Sequence, residues 1–255
     1  MDKKNQKNIN LDWVIGFAEG SFGFGVYETN HRQEFVITQK DPKVLYKVKK
    51  YLGFGKVEPH GKYYRYIIKG SDIRGTHKII EIMNGNLCLE KVHKRFSLYV
   101  QAFNKRIELK RYKSLDYTSM QVLEKKPIIF NTGWFSGIID AEGCFCTVLT
   151  DKTQSLRFII DQKDEFMFLK EIQFFMKGGS IYEKSFLNYR YQYELIRSDN
   201  EEKLVRYLNQ FPLQSQKSID YIRWKKLRYR FLDGEHRDGR SLKRLQRLVS
   251  SLQKL

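Results

Sequence analysis

The feature that most constrains this chain is that it says the same thing twice. Trp13-Val-Ile-Gly-Phe-Ala-Glu-Gly-Ser-Phe-Gly-Phe24 and Trp134-Phe-Ser-Gly-Ile-Ile-Asp-Ala-Glu-Gly-Cys-Phe145 superpose without a gap. Phe35-Val-Ile-Thr-Gln-Lys-Asp41 recurs as Phe158-Ile-Ile-Asp-Gln-Lys-Asp164, and Tyr64-Arg65-Tyr66 as Tyr189-Arg190-Tyr191. The three matches keep one order while their offset drifts only from 121 to 125 residues, so the chain is a tandem duplication. Whatever one copy folds into, the other folds into as well.

Each copy opens with an apolar helix, about 11–20 and 132–142. Alternation of apolar and polar side chains then predicts strands over 21–28 and 34–39, and over 144–150 and 155–162. An amphipathic helix follows, opened by Asp41-Pro42 or by Asp164-Glu165, with an acidic N-cap and, in the first copy, proline at N1. Strands near 55–58 with 63–69, and 179–183 with 189–196, lead into closing helices near 72–83 with 89–106, and 200–209 with 216–231. The expected fold class is α+β, an αββαββαα unit built twice. The repeats span 1–112 and 131–232, joined by a linker over 113–130. Residues 233–255 form a basic tail whose leucines at 242, 245, 248 and 252 suit a short amphipathic helix.

Small residues sit four apart on both opening helices: Gly16 with Gly20, and Gly137 with Ala141. That spacing clears one helix face so that two backbones can approach closely. Glycine inside a helix costs about 1 kcal/mol against alanine, so its presence in both copies asks for a packing reason. The expectation is that the two helices pack on each other, Gly16 and Gly20 facing Gly137 and Ala141.

Lys and Arg total 47 against 29 Asp and Glu, a formal charge of +18 with a pI near 9.7. A surplus of that size favours a polyanionic partner, and nucleic acid fits it because each neutralised phosphate also releases condensed counterions. From residue 217 onward 12 Lys and Arg face 4 Asp and Glu, marking the C-terminal helix and tail as a second phosphate-facing surface. Three cysteines, Cys88, Cys144 and Cys146, make no disulfide framework and suit a reducing compartment. Cys144 and Cys146 read as small core residues of a strand, with no nearby partner to complete a metal site. No run of 18 apolar residues is present, so no membrane partner is expected. The first ten residues carry neither an apolar signal region nor an amphipathic Arg-rich presequence. The richness in Lys, Ile, Asn, Phe and Tyr would suit an AT-rich organellar gene, of mitochondrion or chloroplast.

The segment Trp134–Phe145 resembles the signature motif of the LAGLIDADG homing endonucleases and maturases. Asn84-Gly-Asn-Leu87 with Lys91, and Phe211-Pro-Leu-Gln-Ser-Gln-Lys217 with Trp224, are similar to other family segments, so the resemblance extends over roughly 11–231. It implies a central pair of packed motif helices and two antiparallel four-stranded β-saddles that grip the major groove. It further implies that each motif helix ends in an acid binding divalent metal, and that Lys91 and Lys217 assist cleavage. The metal would be Mg²⁺ if the chain is catalytic; otherwise no cofactor is expected.

Glu142, before Gly143, matches the family's metal-binding acid. In the ungapped register the equivalent residue of the first copy is Ser21, followed by Phe22 where the motif has glycine. Deleting two residues instead makes Glu19-Gly20 the acid–glycine pair, at the cost of the small-residue face. Asp140 is read as structural. A neutral hydroxyl cannot replace a carboxylate beside a metal ion and two phosphates, and cutting two strands requires acids from both helices.

The groove-reading candidates are Gln39, Lys40, Lys62, Arg65, Lys69, Arg157, Gln162, Lys163, Lys184, Arg190 and Gln192, with Tyr27 beside them. Arg, Lys and Gln suit base edges as well as phosphates. Tyr63, Tyr64, Tyr66, Tyr189, Tyr191 and Tyr193 can stack on unpaired bases, although alternation assigns half of them to the core. Two functions follow. One is a monomeric binder of structured RNA, as an intron-splicing maturase or on ribosomal RNA, impaired in double-strand cleavage. The other is a Mg²⁺-dependent site-specific endonuclease or nickase acting on double-stranded DNA. A protein-binding scaffold explains neither the charge nor the duplicated motif.

Overall fold

The computed structural model describes residues 9–21, 23–27, 32–109, 117–149, 154–185, 189–196, 200–235 and 244–249. They divide into two compact units, Asn8–Ala141 and Glu142–Leu255. Each unit holds one four-stranded antiparallel sheet.

In the first unit the order is α1 (Leu11–Gly20), β1 (Phe24–Tyr27), β2 (Arg32–Gln39), α2 (Pro42–Leu52), β3 (Lys56–His60), β4 (Tyr63–Lys69), α3 (Ile73–Met83) and α4 (Glu90–Glu108). The strands lie in the order β1-β2-β4-β3. The second copy repeats this as α5 (Trp134–Glu142), β5 (Gly143–Leu149), β6 (Gln154–Lys163), α6 (Phe166–Met176), β7 (Ser180–Ser185), β8 (Arg190–Ile196), α7 (Glu201–Gln210) and α8 (Lys217–Leu232), with strands ordered β5-β6-β8-β7. A short helix, α9, covers 244–249. It buries Leu245 fully and leaves Leu248 half-buried, while Leu242 and Leu252 lie outside the described residues.

Strand alternation separates two faces in each sheet. Phe24, Phe35, Ile37, Tyr66 and Ile68 share one face, buried under α2 and α4. Phe145, Phe158, Ile160, Tyr193 and Leu195 do the same under α6 and α8. The opposite face of each sheet is turned away from these helices and is called the helix-free face. Tyr66 and Tyr193 close the helix-facing layer alike: each is fully buried and donates its hydroxyl to a loop carbonyl, Phe54 or Gly178, at 2.9 Å. Alternation assigns half of the six tyrosines to the core without naming them, and these two are the fully buried ones.

The caps differ between copies. Asp41 accepts from the Lys43 amide and opens α2 as expected. Glu165 occupies the equivalent place before α6 without a side-chain capping bond. Glutamate is not among the favoured N-cap residues.

The segment after α4 is not a loose connection. Asn104 exchanges two hydrogen bonds with the Met120 backbone, Asn84 contacts both Gln121 and Leu123, and the Lys126 amide donates to Leu87. Side-chain amides of α3, α4 and the turn between them thus fix residues 120–126 against the first unit and deliver the chain to α5.

Candidate nucleic-acid interface and metal-binding acid

Within the unit Asn8–Ala141, α1 and α5 cross at their glycines. A Cβ added to Gly16 would overlap the Trp134 carbonyl, and one added to Gly137 would overlap the Trp13 carbonyl and crowd the Phe17 amide. The backbones touch, and only hydrogen fits between them. This carries the expectation for Gly16 and Gly137; the crossing is centred on that pair. Gly20 is buried and Ala141 half-buried farther along the two helices.

Two buried hydrogen bonds flank the crossing. Trp13 Nε1 donates to Asp140 Oδ2 at 2.8 Å, and Trp134 Nε1 donates to Glu19 Oε2 at 2.5 Å. Trp13 and Trp134 are equivalent by the 121-residue offset, and so are Glu19 and Asp140. One bond therefore occurs twice, each helix lending its tryptophan to the other's acid. That pairing matches the ungapped register, in which Glu142 corresponds to Ser21.

Glu19 is wholly buried and has further work: its Oε1 accepts from the Cys88 and Leu89 amides at 2.8 and 2.7 Å. Leu89 is the N-cap of α4 and has no side-chain cap of its own. A carboxylate there satisfies otherwise orphaned amides and meets the positive end of the helix. Lys91, in the first turn of α4, is positioned by this anchor. Glu19→Gln leaves one acceptor oxygen for three converging N–H groups. We expect a loss of about 1–3 kcal/mol, read in thermal denaturation as a Tm drop of roughly 2–12 °C; an unchanged Tm would contradict the anchoring role. Ser21 is the C-cap of α1, and among the described residues its shielded hydroxyl has no hydrogen-bond partner.

In the unit Glu142–Leu255, the half-buried Glu142 stands at the C-terminal end of α5, where a helix disfavours negative charge. Burial raises its pKa above the usual carboxylate range. The Lys217 ammonium opposes that shift, Asp161 adds to it, and Arg190 opposes it. Lys217, at the first turn of α8, also acts on Cys144 and Asp220. The sequence brought Glu142, Lys217 and Arg190 forward; it missed Asp161, which alternation from Phe158 and Ile160 places on the helix-free face. A carboxyl group kept partly buried at the unfavourable end of a helix, beside an ammonium, has the character of a functional group.

Cys144 and Cys146 correct an expectation. Phe145 between them is buried, so both thiols fall on the helix-free face of β5; Cys144 is exposed and Cys146 half-buried. Their sulfurs lie 2.8 Å apart, and the hydrogen bond from Cys146 pulls the Cys144 thiol down to about 7.

The groove candidates divide by face. Arg65 and Lys69, and Arg157, Lys163, Arg190 and Gln192, stand on the helix-free faces. Lys40 and Lys62 are exposed beside them at strand ends and turns. Gln162 does not join them: it shares the helix-facing side with Phe158 and Ile160 and is only 3% exposed. Gln39, four residues from Phe35, also lies on the helix-facing side, at the end of β2. Several cations are already paired: Lys69 with Glu58, Arg157 with Glu194, and Lys184 with Asp161. The faces therefore present Lys and Arg alternating with carboxylates, the mixture of donors and acceptors that base edges require. Tyr27, Tyr63 and Tyr182 are exposed on the same faces.

Among the described residues no three His, Cys, Asp or Glu side chains gather into a cation cage, and no helix is long and apolar enough to cross a membrane. A Mg²⁺ ion does not need such a cage. It is commonly held by one or two carboxylates together with substrate phosphates and water, and Glu142 offers the hard oxygen donor for that arrangement.

The family profile described as LAGLIDADG endonuclease matches residues 15–103 and 135–228, once per repeat. The chain is 30% identical over 261 residues to a probable intron-encoded endonuclease 4 of Neurospora crassa, covering 95% of this chain and 44% of that protein. It is 24% identical over 220 residues to an uncharacterized cox1 intron-2 protein of Schizosaccharomyces pombe, covering 84% and 64%. The chain thus spans about half to two-thirds of the length of these relatives. Among solved structures, I-SmaMI bound to uncleaved DNA target in the presence of calcium ions superposes with a TM-score of 0.77 at 16% identity, over 97% of this chain and 100% of that one. The meganuclease I-AabMI bound to uncleaved DNA gives 0.77 at 19% identity, over 95% and 98%.

Proposed function

The chain belongs to the LAGLIDADG endonuclease family, and from that premise we propose that it is a nucleic-acid-binding protein of homing-endonuclease descent with a single metal-binding acid, impaired in double-strand cleavage. The observation that carries this reading is the doubled tryptophan–acid bond. By pairing Glu19 with Asp140 it supports the register in which Ser21 stands where the other copy has Glu142.

Glu142 would hold the divalent ion, Mg²⁺ in the first instance. When bound, such an ion supplies a hydroxide near neutral pH and stabilises charge on the transferring phosphate. The chain's own groups do the rest. Lys217 favours the ionised form of Glu142 and supplies positive charge for the scissile phosphate or its water. Arg190 adds to that field. The sheet faces position the duplex: Arg65, Lys69, Lys163, Arg190 and Gln192, with Lys40, Lys62 and Lys184, contact backbone and base edges. Arg157, held by Glu194, presents a fixed guanidinium edge. At the first copy Ser21 brings no charge, and Lys91 alone cannot compensate. Any surviving cut is a nick made at Glu142.

A nickase with weak turnover is favoured as the second reading by the electrostatic support that Lys217 gives the Glu142 carboxylate. The +18 charge supports retention as a binder of structured RNA, in intron splicing or on ribosomal RNA. Relatives named as intron-encoded support an organellar gene. One chain supplies both sheets, so it acts as a monomer.

Binding is tested by salt titration. Affinity for duplex DNA should fall steeply, with a log–log slope of roughly 0.9 per neutralised phosphate. Because Lys69, Arg157 and Lys184 already have carboxylate partners, the slope should reflect fewer phosphates than the +18 charge suggests. A flat titration would remove the electrostatic basis of the reading.

A further inference from the structure

We propose that the outward face of α2 is a binding surface for an unpaired RNA strand, separate from the helix-free faces of the sheets. α2 buries Val44, Leu45 and Val48 against the helix-facing side of the first sheet. Its other side therefore looks away from the face that carries Arg65 and Lys69. On that other side Lys43, Tyr46, Lys47 and Lys50 follow the i, i+3, i+4, i+7 spacing of a single stripe, and all four are exposed. Tyr46 is 55% exposed, and α2 contains four lysines and no acid. Beyond its C-terminal end Phe54 follows the left-handed Gly53, and Lys78 Nζ sits 5.6 Å from the Phe54 ring centroid.

The second copy supplies the internal control. The equivalent stripe on α6 is Met167, Lys170, Glu171 and Phe174, with no net charge and with Phe174 84% exposed. A duplicated helix needs no lysine cluster to cover its sheet, since α6 covers the same layer without one. The stripe on α2 is thus a property of the first copy alone, and its chemistry is that of a strand-binding surface. Lysines about one turn apart take successive phosphates, and a tyrosine among them offers a ring to an unstacked base. A duplex keeps its bases stacked, whereas loops and bulges of RNA splay them out; that favours RNA as the occupant. The inference rests on the reading of the chain as a nucleic-acid binder, and it is independent of whether Glu142 cuts.

The test uses the full chain, a fluorescent oligouridylate, an oligothymidylate of equal length, and a duplex DNA, each followed by anisotropy across a salt series. Lys43→Gln/Lys47→Gln/Lys50→Gln should weaken oligouridylate binding about tenfold or more and lower its salt slope by about 2, at roughly 0.7 per phosphate on a single strand. Tyr46→Ala should weaken it about tenfold with little change in slope. Duplex affinity should stay within about twofold in both variants, since the substituted side chains are exposed and lie away from the sheet face. Unchanged oligouridylate binding in both variants overturns the proposal. Equal losses for RNA and duplex overturn the separateness of the surface, and equal losses for oligouridylate and oligothymidylate overturn the assignment to RNA. Failure of duplex binding in the unmodified protein would instead bear on the proposed function.

Discussion

Gly16→Leu and Gly137→Leu should each destabilise the protein by about 1–3 kcal/mol or more, and even alanine at either position should lower the Tm. The alanine result is the sharper one, because Gly→Ala inside a helix ordinarily stabilises it by about 1 kcal/mol. Here the added methyl meets backbone carbonyls of the facing helix, which cannot rotate aside. Val14, Phe17, Phe135 and Ile138 around the crossing are fully buried, so the helices cannot part without opening a void. Separation would also pull Trp13 from Asp140 and Trp134 from Glu19, leaving two carboxylates buried and under-satisfied. Thermal denaturation of the four single variants reads the effect. Alanine variants as stable as the unmodified protein would contradict the close crossing.

Much of this fold was legible because the sequence contains its own control. Elements read in one copy had to recur in the other, and the bounds of α1, β4 and β8, with the start of α2, fell within a residue or two of the pattern. The phase of the strands was legible too, though four residues were misplaced. Gln39 and Gln162 stand four residues after Phe35 and Phe158, and an even spacing in a strand means the same face as a core phenylalanine. The same arithmetic takes Cys144 and Cys146 off the core side, because Phe145 between them occupies it.

What was not legible depends on contacts distant in sequence. The tryptophan–acid bonds join residues 127 and 115 positions apart, and no local pattern announces them. Yet they bear most directly on the candidate site, since they give Glu19 a structural occupation. The attachment of residues 120–126 rests on Asn84 and Asn104, whose side-chain amides look like ordinary polar surface in the sequence. The clustering of Asp161 and Arg190 with Glu142 and Lys217 likewise needs the register of β6 with β8 and the placing of α8.

The larger expected effect is catalytic. Glu142→Gln should abolish whatever cleavage the protein performs. Loss of metal-centred charge stabilisation of several kcal/mol corresponds to on the order of 10²–10³-fold or more in rate. Lys217→Met should slow cleavage while leaving binding in place, because its charge acts on Glu142 and on the phosphate rather than across the whole groove. Glu19→Gln should leave any cleavage chemistry unchanged at temperatures where the protein remains folded, because both its oxygens already serve backbone and indole N–H groups. Ser21→Glu supplies the missing charge at the first copy, and linear product should begin to appear.

The most direct measurement is incubation of a supercoiled plasmid library of candidate target sites with the protein and Mg²⁺ or Mn²⁺, resolving nicked from linear product. The single-acid account predicts no efficient linear product from the unmodified chain, with any nicked circle disappearing in Glu142→Gln. Efficient linear product that is lost in Glu19→Gln would contradict it, and would make Glu19 the second metal-binding acid of an active endonuclease.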